Sequence, residues 1–88
     1  MLTHDTNEAE ALALAALAAT LSDDRRAQRL LDVTGLEAAD LRARAGDREV
    51  LAACLAFLES HEPDLIAVAS EIGVKPEQLV IARQALDV

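Results

Sequence analysis

Three kinds of residue in this chain carry chemistry of their own: one cysteine, two histidines and a scatter of carboxylates. Cys54 would be a nucleophile only with a lowered pKa and a base beside it. Its sequence neighbours are Ala and Leu, and helical spacing surrounds it with Val50, Leu51, Leu55 and Leu58. That setting predicts a core cysteine. His4 and His61 are the only imidazoles, whereas a zinc site wants three or four converging ligands. His61 stands with Glu62 and Asp64 at a helix junction, where acidic residues in a first turn stabilise the helix rather than hold a metal. Asp23 and Asp24 adjoin at a helix start, and capping is again the simpler use; an acid–base pair needs a cleft that raises one pKa. Gly35, Gly46 and Gly73 each stand alone between helices, so no glycine-rich phosphate loop can form. One cysteine also excludes an internal disulfide and a zinc site of paired cysteines. The expectation is a protein that is not an enzyme, with no catalytic residue, no metal ligand set and no cofactor.

The elements that must hold these residues are helices. Of 88 residues, 19 are Ala and 15 are Leu, with Gly 3, Pro 2, Phe 1 and no Trp or Tyr. Such a chain loses little entropy in a helix and has few strand formers. The fold class is therefore all-α, in one domain with an expected folded surface of about 5,000 Å². The aromatic count rules out an aromatic cage or a platform for stacking bases. The net charge of -8 repels nucleic acid and anionic lipid. Arg25, Arg26 and Arg29, and then Arg42, Arg44 and Arg48, are interleaved with Asp23, Asp24, Asp32, Asp40, Asp47 and Glu49, which reads as a mixed, solvated surface. The first ten residues contain no Lys or Arg, so the positive region of a secretory signal is missing. The apolar stretch Ala11 to Leu21 is about half the length of a membrane span. A cytoplasmic protein is expected.

Punctuation divides the chain into a flexible arm over 1–7 and a helical domain over 8–88. Asn7 is placed to cap a first helix, whose apolar face reads as Leu14, Leu17, Ala18 and Leu21, with Leu12 off that line. Ser22 or Asp23 caps a second helix bearing Ala27, Leu30, Leu31 and Thr34, and Gly35 ends it. A short third helix runs to Arg44, anchored by Leu41. Asp47 caps a fourth with an apolar stripe of Val50, Leu51, Cys54, Leu55 and Leu58, and with Phe57 on its edge. Pro63 opens a fifth with Leu65, Ile66, Val68, Ala69 and Ile72, stopped by Gly73. Pro76 opens a sixth with Leu79, Ile81, Ala82 and Leu86.

A shift of 38 residues lays the second half on the first without a gap: Ala15 on Ala53, Leu17 on Leu55, Ala18 on Ala56, Ser22 on Ser60, Gly35 on Gly73 and Leu41 on Leu79. Both "VTGLEAADL" and "EIGVKPEQL" stop a helix with Gly, follow it with an aliphatic residue, and place a Leu six positions beyond the Gly. The reading is a bundle of about six short helices, arranged as two related three-helix units that share one core.

The order of these pieces carries a resemblance. A leading Ala- and Leu-rich helix, the turn Thr34-Gly35-Leu36, the segment from Asp40 to Asp47, a Leu- and Phe-rich helix closed by acidic residues from Val50 to Glu62, and the turn from Gly73 to Glu77 follow one another. In that order and spacing the chain resembles the small alphaproteobacterial proteins grouped as domain of unknown function 3572. Ala38 and Arg48 stand where that family's turns often carry Pro. The resemblance implies an alphaproteobacterial origin and a compact helical fold, and supplies no activity and no catalytic residue.

Two functional readings follow. The first is a small acidic protein acting by protein–protein contact or self-association, through a homo-oligomer or an unidentified protein partner. Leu12, Ile66, Val80 and Val88 fall off the inward faces. Leu12 and Ile66 are expected to be buried on two sides, and the last helix supplies the contact surface: Leu79, Val80, Arg83 and Leu86. The alternative is a helix-turn-helix DNA-binding regulator, in which the third helix presents Asp40, Arg42, Ala43 and Arg44. The negative balance argues against it.

Overall fold

Capping chemistry sets some of the helix ends in the computed structural model, which describes residues 2–87, with side chains described for 7–87. Asp47, expected to cap the fourth helix, stands at its N-cap without a side-chain capping bond, its carboxylate being taken by Arg44. The helices are α1 (Leu2–Leu21), α2 (Asp24–Thr34), α3 (Ala38–Ala43), α4 (Arg48–Glu59), α5 (Glu62–Ile72) and α6 (Pro76–Leu86). There is no strand among the described residues. Asp23 is the N-cap of α2, its carboxylate accepting from the Arg26 N–H at 3.0 Å. Gly35 and Gly73 both leave their helices in the left-handed region, at φ 75° and 74°. The Gly35 N–H returns to the Leu31 carbonyl at 2.8 Å, and the Val74 N–H to the Ala69 carbonyl at 2.9 Å. A residue with a side chain would be strained at either position. At the start of α6 the Lys75 N–H donates to Gln78 Oε1 at 2.8 Å. Asn7, expected to cap α1, lies inside it instead. The arm expected over 1–7 falls mainly on residues whose side chains are outside the described set, and Val88 lies outside the described residues altogether.

One core runs through the bundle, which measures 36 × 26 × 18 Å with an accessible surface of 5290 Å², close to the value expected from chain length. α4 is its centre, burying Val50, Leu51, Cys54, Leu55, Phe57 and Leu58. Around it stand Leu30 of α2, Leu41 of α3, Leu65, Val68 and Ala69 of α5, and Leu79, Ala82 and Leu86 of α6. Phe57, expected on the edge of the α4 stripe, is buried. α1 touches α2, α4, α5 and α6, but not with the face that its leucines mark. Its buried residues are Ala9, Ala13, Ala16, Leu17 and Thr20, while Leu14, Ala18 and Leu21 are exposed. Of the expected inward set, only Leu17 faces the core. The physical reason is room: a helix that crosses four others must approach them closely, and alanine methyls permit that where leucines would not.

This rotation agrees with the 38-residue shift. The buried α1 positions Ala13, Ala16, Leu17 and Thr20 fall on Leu51, Cys54, Leu55 and Leu58, four of the six buried positions of α4. In the same way Arg26 falls on Asp64, Leu30 on Val68 and Leu41 on Leu79, and all six are buried. The two units share their inward positions while differing in what fills them. They differ in length in the third helix, six residues in α3 and eleven in α6, and in the first, twenty in α1 and twelve in α4.

Candidate functional site

Cys54, the only thiol, is 1 % exposed in the middle of α4. Its Sγ donates toward Thr20 Oγ1 of α1 at 4.0 Å, and that hydroxyl donates in turn to the Ala16 carbonyl at 2.7 Å. Burial pushes the Cys54 thiol up to about 11, a shift opposed only by the Thr20 contact. A thiol so held is protonated and inert at neutral pH.

The charged residues form ties between helices. Arg26 and Arg29, expected in a solvated surface, instead cross from α2 to α5. Arg26 is buried and pairs with Glu71 at 2.6 Å. Arg29 holds the buried Asp64 through both oxygens, with Nη2 at 2.7 Å from Oδ1 and Nε at 3.0 Å from Oδ2. This bidentate contact raises the Arg29 pKa. Arg26 Nη1 is buried without a hydrogen-bond partner. The sequence signal for these ties is weak, because each arginine also has an acidic neighbour along its own helix. His61 lies beside the same cluster, 3.6 Å from Asp64 and stacked near Phe57, with ring centroids 6.4 Å apart. Asp64 is already engaged by Arg29, so His61, Glu62 and Asp64 do not converge as ligands. No three His, Cys, Asp or Glu side chains converge to hold a metal among the described residues. The side chain of His4 is outside the described set. Asp23 works as a cap, and the Arg26 backbone N–H holds its carboxyl below the ordinary range.

Half of the remaining basic residues are paired as well. Arg44 pairs with Asp47 at 2.9 Å and Arg48 lies 3.8 Å from Glu10. Arg83 is held by Glu59 and Asp87. Of the eight basic residues, only Arg25, Arg42 and Lys75 have no carboxylate partner among the described residues, and they come from three different helices or their caps. Arg42 and Arg44 are exposed on α3 as the helix-turn-helix reading requires, yet Arg44 is already paired.

The surface expected on the last helix is not assembled. Leu79 and Leu86 point into the core, Val80 is half-buried, and Arg83 is occupied by its two carboxylates. Leu and Ala of α6 alternate inward at the spacing that a solvent-facing patch would also show, so sequence alone gave no means of telling one side from the other. Two shallow grooves flank α6. One, of about 590 Å³, has a floor of Ala52, Ala53 and Ala56 between Glu49, Glu59 and Asp87. The other, of about 400 Å³, runs between α6 and α1 and is lined by Ala9, Leu12, Ile81, Ala82 and Ala85. Ile66, expected to be buried on two sides, is exposed on α5, and Leu12 is half-buried against the core.

Exposed large apolar side chains stand singly at Val33, Ile66 and Ile81, and in a pair on α1. Ala11, Leu14, Ala15, Ala18 and Leu21 share its outer side, with Leu14 48 % and Leu21 38 % exposed. From Ala11 to Leu21 the helix carries no charged residue on any side. The sequence does signal this face: it is the stripe that helical periodicity marks as apolar. Pattern reading gives it to the core because it has no way to see that alanines take that place. No described helix is long and apolar enough to cross a membrane.

A family model, described as Protein of unknown function (DUF3572), matches residues 6–88. No curated protein and no solved structure matches the chain.

Proposed function

For a chain that belongs to the DUF3572 family of proteins of unknown function, we propose a non-enzymatic role exercised by protein contact through the outer face of α1. The observation that carries the reading is the pair of leucines, Leu14 and Leu21, left in solvent on a charge-free stretch of a protein with net charge -8. A patch of that kind on an otherwise acidic surface marks an interaction site more often than an accident of composition. The inert thiol and the committed imidazole and carboxylates support a role without bond-making chemistry. Paired arginines give no support to a nucleic-acid footprint, which needs several free cations on one face. A cytoplasmic setting belongs to this reading.

Zero-length cross-linking in the native cell tests it, comparing the wild-type chain with a Leu14→Glu, Leu21→Glu variant. The wild type is expected to give a discrete protein adduct that the variant loses while keeping its helical signal. No discrete adduct, or an equal one from the variant, defeats the proposal.

A further inference from the structure

We infer that α2 and α3 form a flap that opens from the bundle as one unit, latched shut by two charge ties to α5. α1, α4, α5 and α6 make a closed core in which every helix touches the other three. The α2 backbone packs closely on α1 and α4 only, and α3 has no comparable packing with any helix among the described residues. Of the buried apolar side chains, α2 and α3 supply only Leu30 and Leu41. Their counterparts in the second half bury more: Leu65, Val68 and Ala69 from α5, and Leu79, Ala82 and Leu86 from α6. The excursion between α1 and α4 is therefore lightly held by apolar packing. It is also built of short pieces, eleven and six residues long. Isolated helices of that length are not stable in water, so both unravel together once they leave the core.

The ties to α5 supply the rest of the hold, and their construction makes them a latch. Each joins a buried charge to an exposed one, in opposite directions. α2 buries Arg26, whose Nη2 lies 2.6 Å from Glu71 of α5, with side-chain exposures of 9 % and 43 %. α5 buries Asp64, which accepts the bidentate guanidinium of Arg29 from α2, with exposures of 7 % and 40 %. Asp23, 3.9 Å from Arg26, and His61, 3.6 Å from Asp64, are the other ionisable groups beside the ties. Arg26 and Asp64 stay out of water while α2 lies on the bundle, and Arg26 Nη1 does so without a hydrogen bond. Opening returns both charges to solvent and recovers hydration that the closed state forgoes. Exposing leucines recovers nothing of the kind. Loss of one exposed partner leaves a buried charge unmatched, and that charge drives the flap open. The sides of α1 and α4 beneath α2 are then uncovered.

Native-state hydrogen exchange of the whole chain, resolved by residue and repeated at low urea concentrations, reads the opening. Amides of α2 and α3 should exchange through an opening at least about tenfold more frequent than that of the slowest amides in α4 and α6. Its dependence on urea should be shallower, because less surface is exposed. Leu86→Ala, in α6 away from the flap, should speed the slow amides of α4 and α6 at least about tenfold. It should leave α2 and α3 within about twofold of wild type, since the closed and flap-open states lose the same packing. Arg29→Gln should speed α2 and α3 at least about tenfold by leaving Asp64 unmatched. Adding Asp64→Asn to that chain should reverse most of the gain. A single urea slope shared by α2, α3 and α4 overturns the inference, and this arm decides even where Leu86→Ala fails to fold. So does a Leu86→Ala chain in which every helix speeds alike. An Arg29→Gln chain that opens no more than wild type, or that Asp64→Asn does not restore, defeats the latch.

Discussion

α1 and α4 occupy equivalent places in the two halves and bury equivalent positions, yet they fill them in opposite ways. α4 turns Leu51, Cys54, Leu55 and Leu58 inward and shows Ala52, Ala53 and Ala56 toward solvent. α1 turns Ala13, Ala16 and Thr20 inward, with Leu17, and leaves Leu14 and Leu21 outside. The difference teaches which residues determine how a helix rolls in its place. α4 begins with Arg48 and Glu49 and ends with Glu59, and these charges must reach water, so its rotation follows from polarity. α1 has no such residue between Ala11 and Leu21. Its rotation is set by steric fit: the side that can come closest to four neighbours goes in.

The comparison breaks first if core leucines on α4 prove replaceable. Leu58→Ala, at a position with no exposure, should cost about 2–5 kcal/mol. Leu14→Ala on α1 should change stability by no more than about 0.5 kcal/mol. Both values come from urea unfolding followed by circular dichroism. Near-equal losses would mean that α1 is rolled the other way. Enlarging the small side gives the next effect. Ala16→Leu forces a side chain into the place where α1 passes closest to its neighbours, and should destabilise by about 1–3 kcal/mol. Ala18→Leu, two residues on and exposed, should be close to neutral, because Leu lies only slightly below Ala in helix propensity.

A smaller test sharpens the likeness between the halves. Gly35→Ala and Gly73→Ala should each cost about 1 kcal/mol and by similar amounts, because both need positive φ and neither added methyl meets an atom within 4 Å. Unequal costs would show that the turns share a shape but not a role. The smallest effect concerns acid. The Asp23 carboxyl is held below its unfolded value of 3.8, so its contribution is present above that value and is lost as pH falls through the lower folded value. The gap in stability between wild type and Asp23→Asn should therefore stay constant above about pH 4 and close as pH falls below it.

Local chemistry made most of this fold legible from the sequence. Asp23, Gly35, Gly73 and Pro76 stop and start helices by interactions that span four or five residues, so the boundaries of α2 to α6 follow from the sequence directly. The inward sides of α4 and α5 were legible as well, apart from Ile66, because charged residues mark their outer faces. α1 was not, since eleven uncharged residues offer no polar side to subtract. The cross-helix pairs Arg29–Asp64 and Arg26–Glu71 were hidden for another reason. Each connects residues 35 or more apart, and nothing in their local sequence separates them from pairs along one helix. The candidate contact face was therefore visible as a stripe and misplaced as core, whereas the α6 residues offered in its stead, Leu79 and Leu86, proved to be the core. The 38-residue repeat held the missing information, because it transfers the well-marked rotation of α4 onto α1.

The lone thiol gives the molecule a reporter of its own opening. Cys54 sits in the core on α4, against Thr20 of α1, so a thiol reagent reaches it only when the packing around α4 opens. In the fast-reclosing regime, the labelling rate divided by that of a free thiol equals the fraction of molecules in that open state. An added mass on one atom then counts how often the bundle opens, without any substitution in it.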